Sequence, residues 1–254
     1  MSASDVVLKV ERLNLVFKAS LHRSWTWRDS FTRFSQDPAR ALFGQAERIH
    51  IAKDLSFSVS RKERLGILGV NGVGKTSLCR CIAGIFRPTS GRVRLLGSTR
   101  AVFDTHVGIH TELTGRENAR LLCEFLYPEI EDKEPIVEEA LEFSELGKFV
   151  DLPFRLYSKG MTTRLCLSVV TARPSDLLVL DEVFDGADVF FAKKASERVL
   201  KLMRESGAVI FVSHSEEQIR TACTRVMVLR NGQIAFDGDV EQGLEFYSKS
   251  LHTA

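Results

Sequence analysis

The stretch Gly69, Val70, Asn71, Gly72, Val73, Gly74, Lys75, Thr76 limits the fold of this chain more than any other feature. Residues 65–68, almost wholly apolar, precede it as a short buried strand, and a helical pattern begins near Lys75. A glycine-rich turn between a strand and a helix lets successive backbone amides face one concavity. The helix N-terminus adds its dipole, so the turn predicts a cradle for a polyphosphate. Gly69, Asn71, Gly72, Val73, Gly74, Lys75, Thr76 and Ser77 are its candidate lining; Lys75 would neutralise β and γ oxygens and Thr76 would place its hydroxyl on Mg²⁺. The bland alternative is a glycine-rich turn that merely ends a strand.

Strand, loop and helix in this order ask for a parallel α/β sheet. The pattern returns late in the chain, with strands predicted at 177–181 and 209–212 and a helix around 193–204. Residues 6–17 alternate apolar and polar, as do Leu55, Phe57 and Val59, which predicts half-buried strands of an antiparallel part. Asn231-Gly232 between two apolar runs predicts a hairpin, because both turn positions need positive φ. From Thr111 to about residue 172 the apolar spacing becomes helical (Leu121, Leu122, Phe125; Ile136, Val137, Ala140, Leu141), and Thr114 with Glu117 forms a capping box for a helix through Leu126. The expected organisation is one domain over 1–254: a core of 1–103 and 173–254, a helical subdomain over about 104–172, and an aromatic and basic insertion over about 18–53.

Composition excludes several other classes. With 44% hydrophobic and 27% charged residues the chain is an ordinary globular one. A net formal charge of +2 does not argue for nucleic acid as a partner. No run of about 18 apolar residues suggests a membrane span, and the N-terminus lacks a secretory layout, so a cytosolic chain is expected. The five cysteines, Cys79, Cys81, Cys123, Cys166 and Cys223, are odd in number, scattered and set among apolar neighbours, which predicts buried reduced thiols over disulfides or zinc.

Two strand ends carry further candidates. The 177–181 strand ends in Asp181-Glu182, carboxylates suited to orienting Mg²⁺ and polarising a water, and the 209–212 strand leads to Ser213-His214. Each signal alone is weak. Their order matters more: Tyr157-Ser158-Lys159-Gly160-Met161 stands before a helix, some twenty residues ahead of Asp181, and Asp188 and His214 follow. Taken with the glycine-rich loop, this order resembles the ATP-binding cassette (ABC) ATPases over nearly the whole chain.

The resemblance implies a P-loop ABC-type ATPase fold of the α/β class, with an antiparallel β part and an inserted α-helical subdomain. It implies ATP and Mg²⁺ as ligands, Lys75 and the catalytic base Glu182 at the reacting phosphate, Asp181 and Thr76 on the metal, and His214 as the switch histidine. Ser158, Lys159, Gly160 and Met161 become a signature that meets the γ-phosphate of a second subunit, which implies a homodimer, and Asp188 falls in the loop coupling the two sites. The family's usual glutamine between core and helical lobe is missing from 101–106, where Asp104 is the candidate substitute and a further candidate metal ligand. Phe17 takes the place of the adenine-stacking aromatic; the alternative is a strand residue facing the core.

Three features look like the subfamily that exports capsule, O-antigen or teichoic acid: Tyr-Ser-Lys-Gly-Met at 157–161, the stretch 108–118, and the insertion after Phe17. That implies a peripheral subunit on the cytoplasmic face of a bacterial inner membrane, two integral-membrane permease subunits, a polysaccharide or lipid-linked glycan as cargo, and no nucleic acid. After Ala254 no appended carbohydrate-binding domain is expected. Trp25, Trp27, Arg28 and Phe31 are candidate substrate or gate residues, with Trp27, Phe31 and Phe34 on one helical face and Asp37-Pro38 opening a second helix. The rivals are an ABC ATPase of another exporter and a non-transport mechanical or regulatory ABC ATPase. A P-loop kinase would leave the signature helix unexplained.

Overall fold

The computed structural model describes residues 5–19, 47–102, 108–181, 189–213 and 215–251. Two sheets organise it. The strands β1 (Val6–Ala19), β2 (Glu47–Ser60) and β4 (Ser90–Leu95) form an antiparallel sheet in the order β2-β1-β4. A six-stranded sheet has the order β5-β6-β7-β3-β8-β9, from β3 (Arg64–Leu68), β5 (Thr99–Val102), β6 (Leu177–Asp181), β7 (Ala208–Val212), β8 (Arg225–Arg230) and β9 (Gln233–Gly238). Five of its strands are parallel and β9 closes the edge antiparallel to β8.

The central strands β6, β7 and β3 are near-continuous apolar runs, broken only at Arg64 opening β3 and Asp181 closing β6, because both faces are covered. On β6, Leu177 and Val179 pack with the antiparallel sheet and with helix α1 (Lys75–Ile82), which lies between the sheets. Leu178 and Leu180 face the other way, against α5 (Val189–Glu205), α6 (Glu216–Ala222) and α7 (Val240–Leu251). A third cluster joins α2 (Gly115–Leu126), α3 (Glu134–Ser144) and α4 (Lys159–Val170) through Leu122, Ile136, Val137, Leu141, Leu165 and Val169. Leu167 of α4 belongs to the core cluster instead, so this one helix is buried on two sides and ties the helical lobe to the sheet.

The capping box forms as expected: Thr114 accepts from Glu117 N at 3.2 Å, and the Glu117 carboxylate accepts from Thr114 N at 2.8 Å. Asn231 and Gly232 take φ of 53° and 77° in the β8-β9 hairpin. All five cysteines are buried and none is in a disulfide, and burial pushes Cys81 and Cys123 to about 11 and Cys223 to about 12.

Two elements run longer than their periodicity suggested. Helix α5 begins at Val189, ahead of the expected 193. The β1-β2 ladder continues through Phe17↔Ile49 to Ala19↔Glu47, so residues 47–53, counted by composition with the insertion, are strand. Positive φ at Arg12 and Asp54 interrupts the alternation inside both strands, and Asn14 holds the irregularity by donating to Arg12 O and accepting from Asp54 N, each at 3.0 Å.

Candidate active site

The glycine-rich loop connects the buried end of β3 to α1. Gly69 is required by a close approach, since a Cβ there would lie 2.8 Å from Leu229 O on the neighbouring strand. Gly74 is required by conformation as well as space: its φ is +106°, and a Cβ would meet Ile51 Cγ2 at 2.5 Å and Ile51 O at 3.1 Å. Gly74 is also the N-cap and has no side chain to cap the helix, so the N-terminal end of α1 presents its amides and the positive end of its dipole toward the loop. Gly74→Ala is expected to weaken ATP binding by tenfold or more, because the backbone strain of about 1 to 3 kcal/mol falls on the cradle itself. Titration calorimetry with Mg-ATP, alongside an unchanged circular-dichroism spectrum, measures this.

Lys75 is 6% exposed, and its ammonium folds back over the loop, donating to Gly69 O at 2.7 Å and Val70 O at 3.3 Å. Thr76 and Ser77 are half-buried in the first turn of α1. Asp181, the last residue of β6, is 7% exposed. Strand β7 lies between β3 and β6 and is parallel to both, with Ile67 of β3 and Asp181 of β6 each paired with Val212. The carboxylate and the loop that follows β3 therefore share one end of the sheet, at the C-terminal ends of parallel strands, where open α/β sheets bind ligands. Cys79, one turn beyond Lys75, is held well above the usual thiol range, by burial first and then by the Asp181 carboxylate, against the lowering effect of the Lys75 ammonium.

The signature residues open a different element. Ser158 is the N-cap of α4 and accepts from Met161 N at 3.2 Å, so its hydroxyl oxygen caps the helix while the residue stays exposed. Ser158 and Lys159 are exposed, whereas Gly160 and Met161 are half-buried, with Met161 packed on the lobe's core. Phe17 does not face the core. It is 38% exposed, meets Phe86 edge to face at 5.7 Å, and pairs with Ile49, two residues along β2 from the Ile51 that covers Gly74. Asp104, Glu182, Asp188, His214, Trp25, Trp27, Arg28 and Phe31 lie outside the described residues.

Sequence reasoning missed the roof of the loop. Ile51 of β2 covers Gly74, and Lys53 N donates to Gly232 O at 2.8 Å, so the β8-β9 turn and β2 brace the loop together. It also missed Asn118, fully buried, whose side chain accepts from His110 N at 2.8 Å and donates to His110 O at 2.9 Å, fixing the loop that leads into α2. An asparagine inside a helical pattern was the available signal.

A buried parallel strand, a glycine cradle, a loop lysine and a buried strand-end aspartate define a P-loop nucleotide-binding protein. The family model described as ABC transporter matches residues 52–185, and the chain belongs to the ABC transporter family as an ATP-hydrolysing cassette. It is 33% identical over 215 residues to the O-antigen export system ATP-binding protein RfbB of Klebsiella pneumoniae, covering 84% of this chain and 87% of that one. To RfbE of Yersinia enterocolitica, also an O-antigen export ATP-binding protein, it is 34% identical over 191 residues, 75% of this chain and 80% of the relative. The teichoic acids export ATP-binding protein TagH of Enterococcus faecalis is 34% identical over 200 residues, 79% of this chain but 44% of that longer protein. Two solved structures share the fold. An ATP-binding cassette captured as a dimer in a post-hydrolysis state with ADP and Pi has a TM-score of 0.68 at 19% identity, covering 92% of this chain and 98% of that one. The ATP-binding subunit of an ABC transporter has a TM-score of 0.69 at 20% identity, with 97% and 99% covered.

Proposed function

We propose that this chain powers export of a cell-surface polysaccharide of the O-antigen, teichoic acid or capsule class through separate membrane subunits. One observation carries the reading: identity of about a third to export-system ATP-binding proteins extends over 87% of one relative's length, well beyond the nucleotide motifs alone. Among the described residues no helix is long and apolar enough to cross a membrane. Two permease subunits at the cytoplasmic face of a bacterial inner membrane would supply the path for the cargo.

In the proposed reaction Lys75 leaves the loop carbonyls for the β and γ oxygens of ATP, and the first-turn amides of α1 hold the same phosphates. The donors present suit magnesium, a hard cation that takes oxygen ligands: Thr76 supplies a hydroxyl and Asp181 a buried carboxylate, with Asp104 a further candidate. Bound there, the metal would offset charge on the phosphates. Glu182 takes a proton from the attacking water as its oxygen bonds to the γ-phosphorus; the β,γ-bridging oxygen leaves with the bond electrons as ADP. His214 steadies the γ-phosphate. Ser158 and Gly160 approach it from the partner of a homodimer, because they open a helix of the other lobe, and Asp188 links the two sites. Phe17, exposed beside the loop's roof, offers a ring for adenine.

Deleting the gene should abolish surface polysaccharide while its lipid-linked form accumulates inside the cell, read by glycan analysis of both fractions. Normal surface glycan in the deletion strain would refute export and favour the regulatory alternative. The segment with Trp25, Trp27, Arg28 and Phe31 suits the cargo, since aromatics cover sugar faces and arginine pairs with phosphate. Trp25→Ala combined with Trp27→Ala should stop export in cells with basal ATPase within about twofold of normal; unchanged export, or an unfolded chain, would remove the segment from the mechanism.

A further inference from the structure

The rear of the signature helix is held by side chains from three directions. Tyr127, just beyond α2, is fully buried and its hydroxyl donates to Val169 O at 2.5 Å and to Val170 O at 3.3 Å. Arg198 of α5 donates through Nε to Thr171 O at 3.0 Å, and Arg173 donates to Ala172 O at 2.7 Å. Arg100 of β5 donates to Pro174 O at 2.5 Å. The carbonyls of Val169, Val170, Thr171, Ala172 and Pro174 thus each accept from one of these side chains, and the guanidinium charges sit at the negative end of the helix dipole.

Arg100 is the unusual member. It is 2% exposed on an edge strand of the core sheet, where an arginine is costly to bury. Its guanidinium lies over the Tyr127 ring, 4.4 Å from the centroid, and pairs with Glu129 two residues further on. Its Nε is buried with no hydrogen-bond partner, so saturation of its own donors does not explain it. What the side chain does is join β5 of the core, the end of α2 and the exit of α4 at one point. The sequence leaves the core for the lobe directly after β5 and returns directly after Pro174, so this point lies where both crossings meet.

The opposite end of α4 carries Ser158. Twelve residues separate the two ends, about 18 Å at a rise of about 1.5 Å per residue, so a small tilt about the rear anchor moves Ser158 by several ångströms. We infer that Arg100 and Tyr127 are positioning residues: they fix the fulcrum of the signature helix and so set where Ser158 and Gly160 meet the partner's nucleotide. The inference rests on the proposed in-trans role of the signature.

Tyr127→Phe keeps the ring and removes the hydroxyl; Arg100→Lys keeps the charge and removes the planar fork. In the full chain, both are expected to lower ATP turnover fivefold or more while Mg-ATP affinity, measured by calorimetry on the monomer, stays within twofold. ATP-driven dimerisation in a Glu182→Gln background should weaken in parallel. Gly160→Asp reports on the signature itself and should cut turnover at least tenfold. Turnover within twofold of normal in Tyr127→Phe, with Gly160→Asp impaired, overturns the anchor alone, whatever happens to Tm. Loss of ATP affinity in step with turnover also overturns it, because the damage is then general. Full turnover in Gly160→Asp overturns the signature reading and the anchor with it. Should Arg100→Lys fail to fold, the isosteric Tyr127→Phe decides.

Discussion

Lys75→Ala is expected to lower ATP turnover by about 10²- to 10³-fold, the range typical for losing one preorganised electrostatic contact to a reacting centre. Two effects add. The ammonium is the one cation of the 69–77 loop, and it is buried, so its attraction for phosphate oxygens is screened less than that of a surface lysine. Its bonds to Gly69 O and Val70 O also hold the loop around a central cation. Without it the buried Gly69 carbonyl loses a donor, at about 1 to 3 kcal/mol, while the carbonyl of the exposed Val70 can turn to water, and the loop is expected to lose its preformed shape. ATP affinity should therefore fall at least tenfold, and Tm by about 2 to 4 °C per kcal/mol lost. Calorimetry with Mg-ATP and a phosphate-release assay check both; turnover within tenfold of normal would remove Lys75 from the catalytic centre.

The glycine-rich loop was readable because its constraints are local. Gly69 and Gly74 serve a close backbone approach and a positive φ, and both can be inferred from residues within one strand-turn-helix unit. The β8-β9 hairpin and the α2 capping box were readable for the same reason. What escaped was set by contacts between distant segments. The extension of β2 to Glu47 depends on pairing with β1 across an intervening stretch of mixed polar and aromatic residues, which hides a short alternating run. Ile51 over Gly74 depends on how the two sheets stack. Arg100 is the clearest example: in sequence it is a charged residue in a short polar segment, the usual sign of a solvated edge, and only the meeting of β5, Tyr127 and Pro174 accounts for its burial. The order of the signature, the acidic strand end and the histidine lent the chemistry more support than any one of them did.

Glu182→Gln is expected to separate binding from chemistry, which Lys75→Ala cannot do. Glutamine preserves the size of the side chain and its capacity to accept a hydrogen bond from water, but it no longer takes the proton. General-base assistance is commonly worth about 10² to 10⁴ in rate, so turnover should fall by at least about a hundredfold while Mg-ATP affinity stays near normal. Asp181, buried at the end of β6, retains its carboxylate in this variant, so the proposed magnesium site is untouched. With hydrolysis blocked, bound ATP should persist, and on the proposed in-trans role the two signature helices should stay on the two nucleotides. ATP should then convert the 28.5 kDa chain into a species of twice that mass with two nucleotides per dimer, measured by light scattering and nucleotide extraction. ADP, lacking the γ-phosphate that Ser158 and Gly160 would meet, should leave it monomeric. Normal turnover in Glu182→Gln would assign the base to another residue. A silent enzyme that stays monomeric with ATP, even beside its membrane subunits, would keep the base and discard the two-site sandwich.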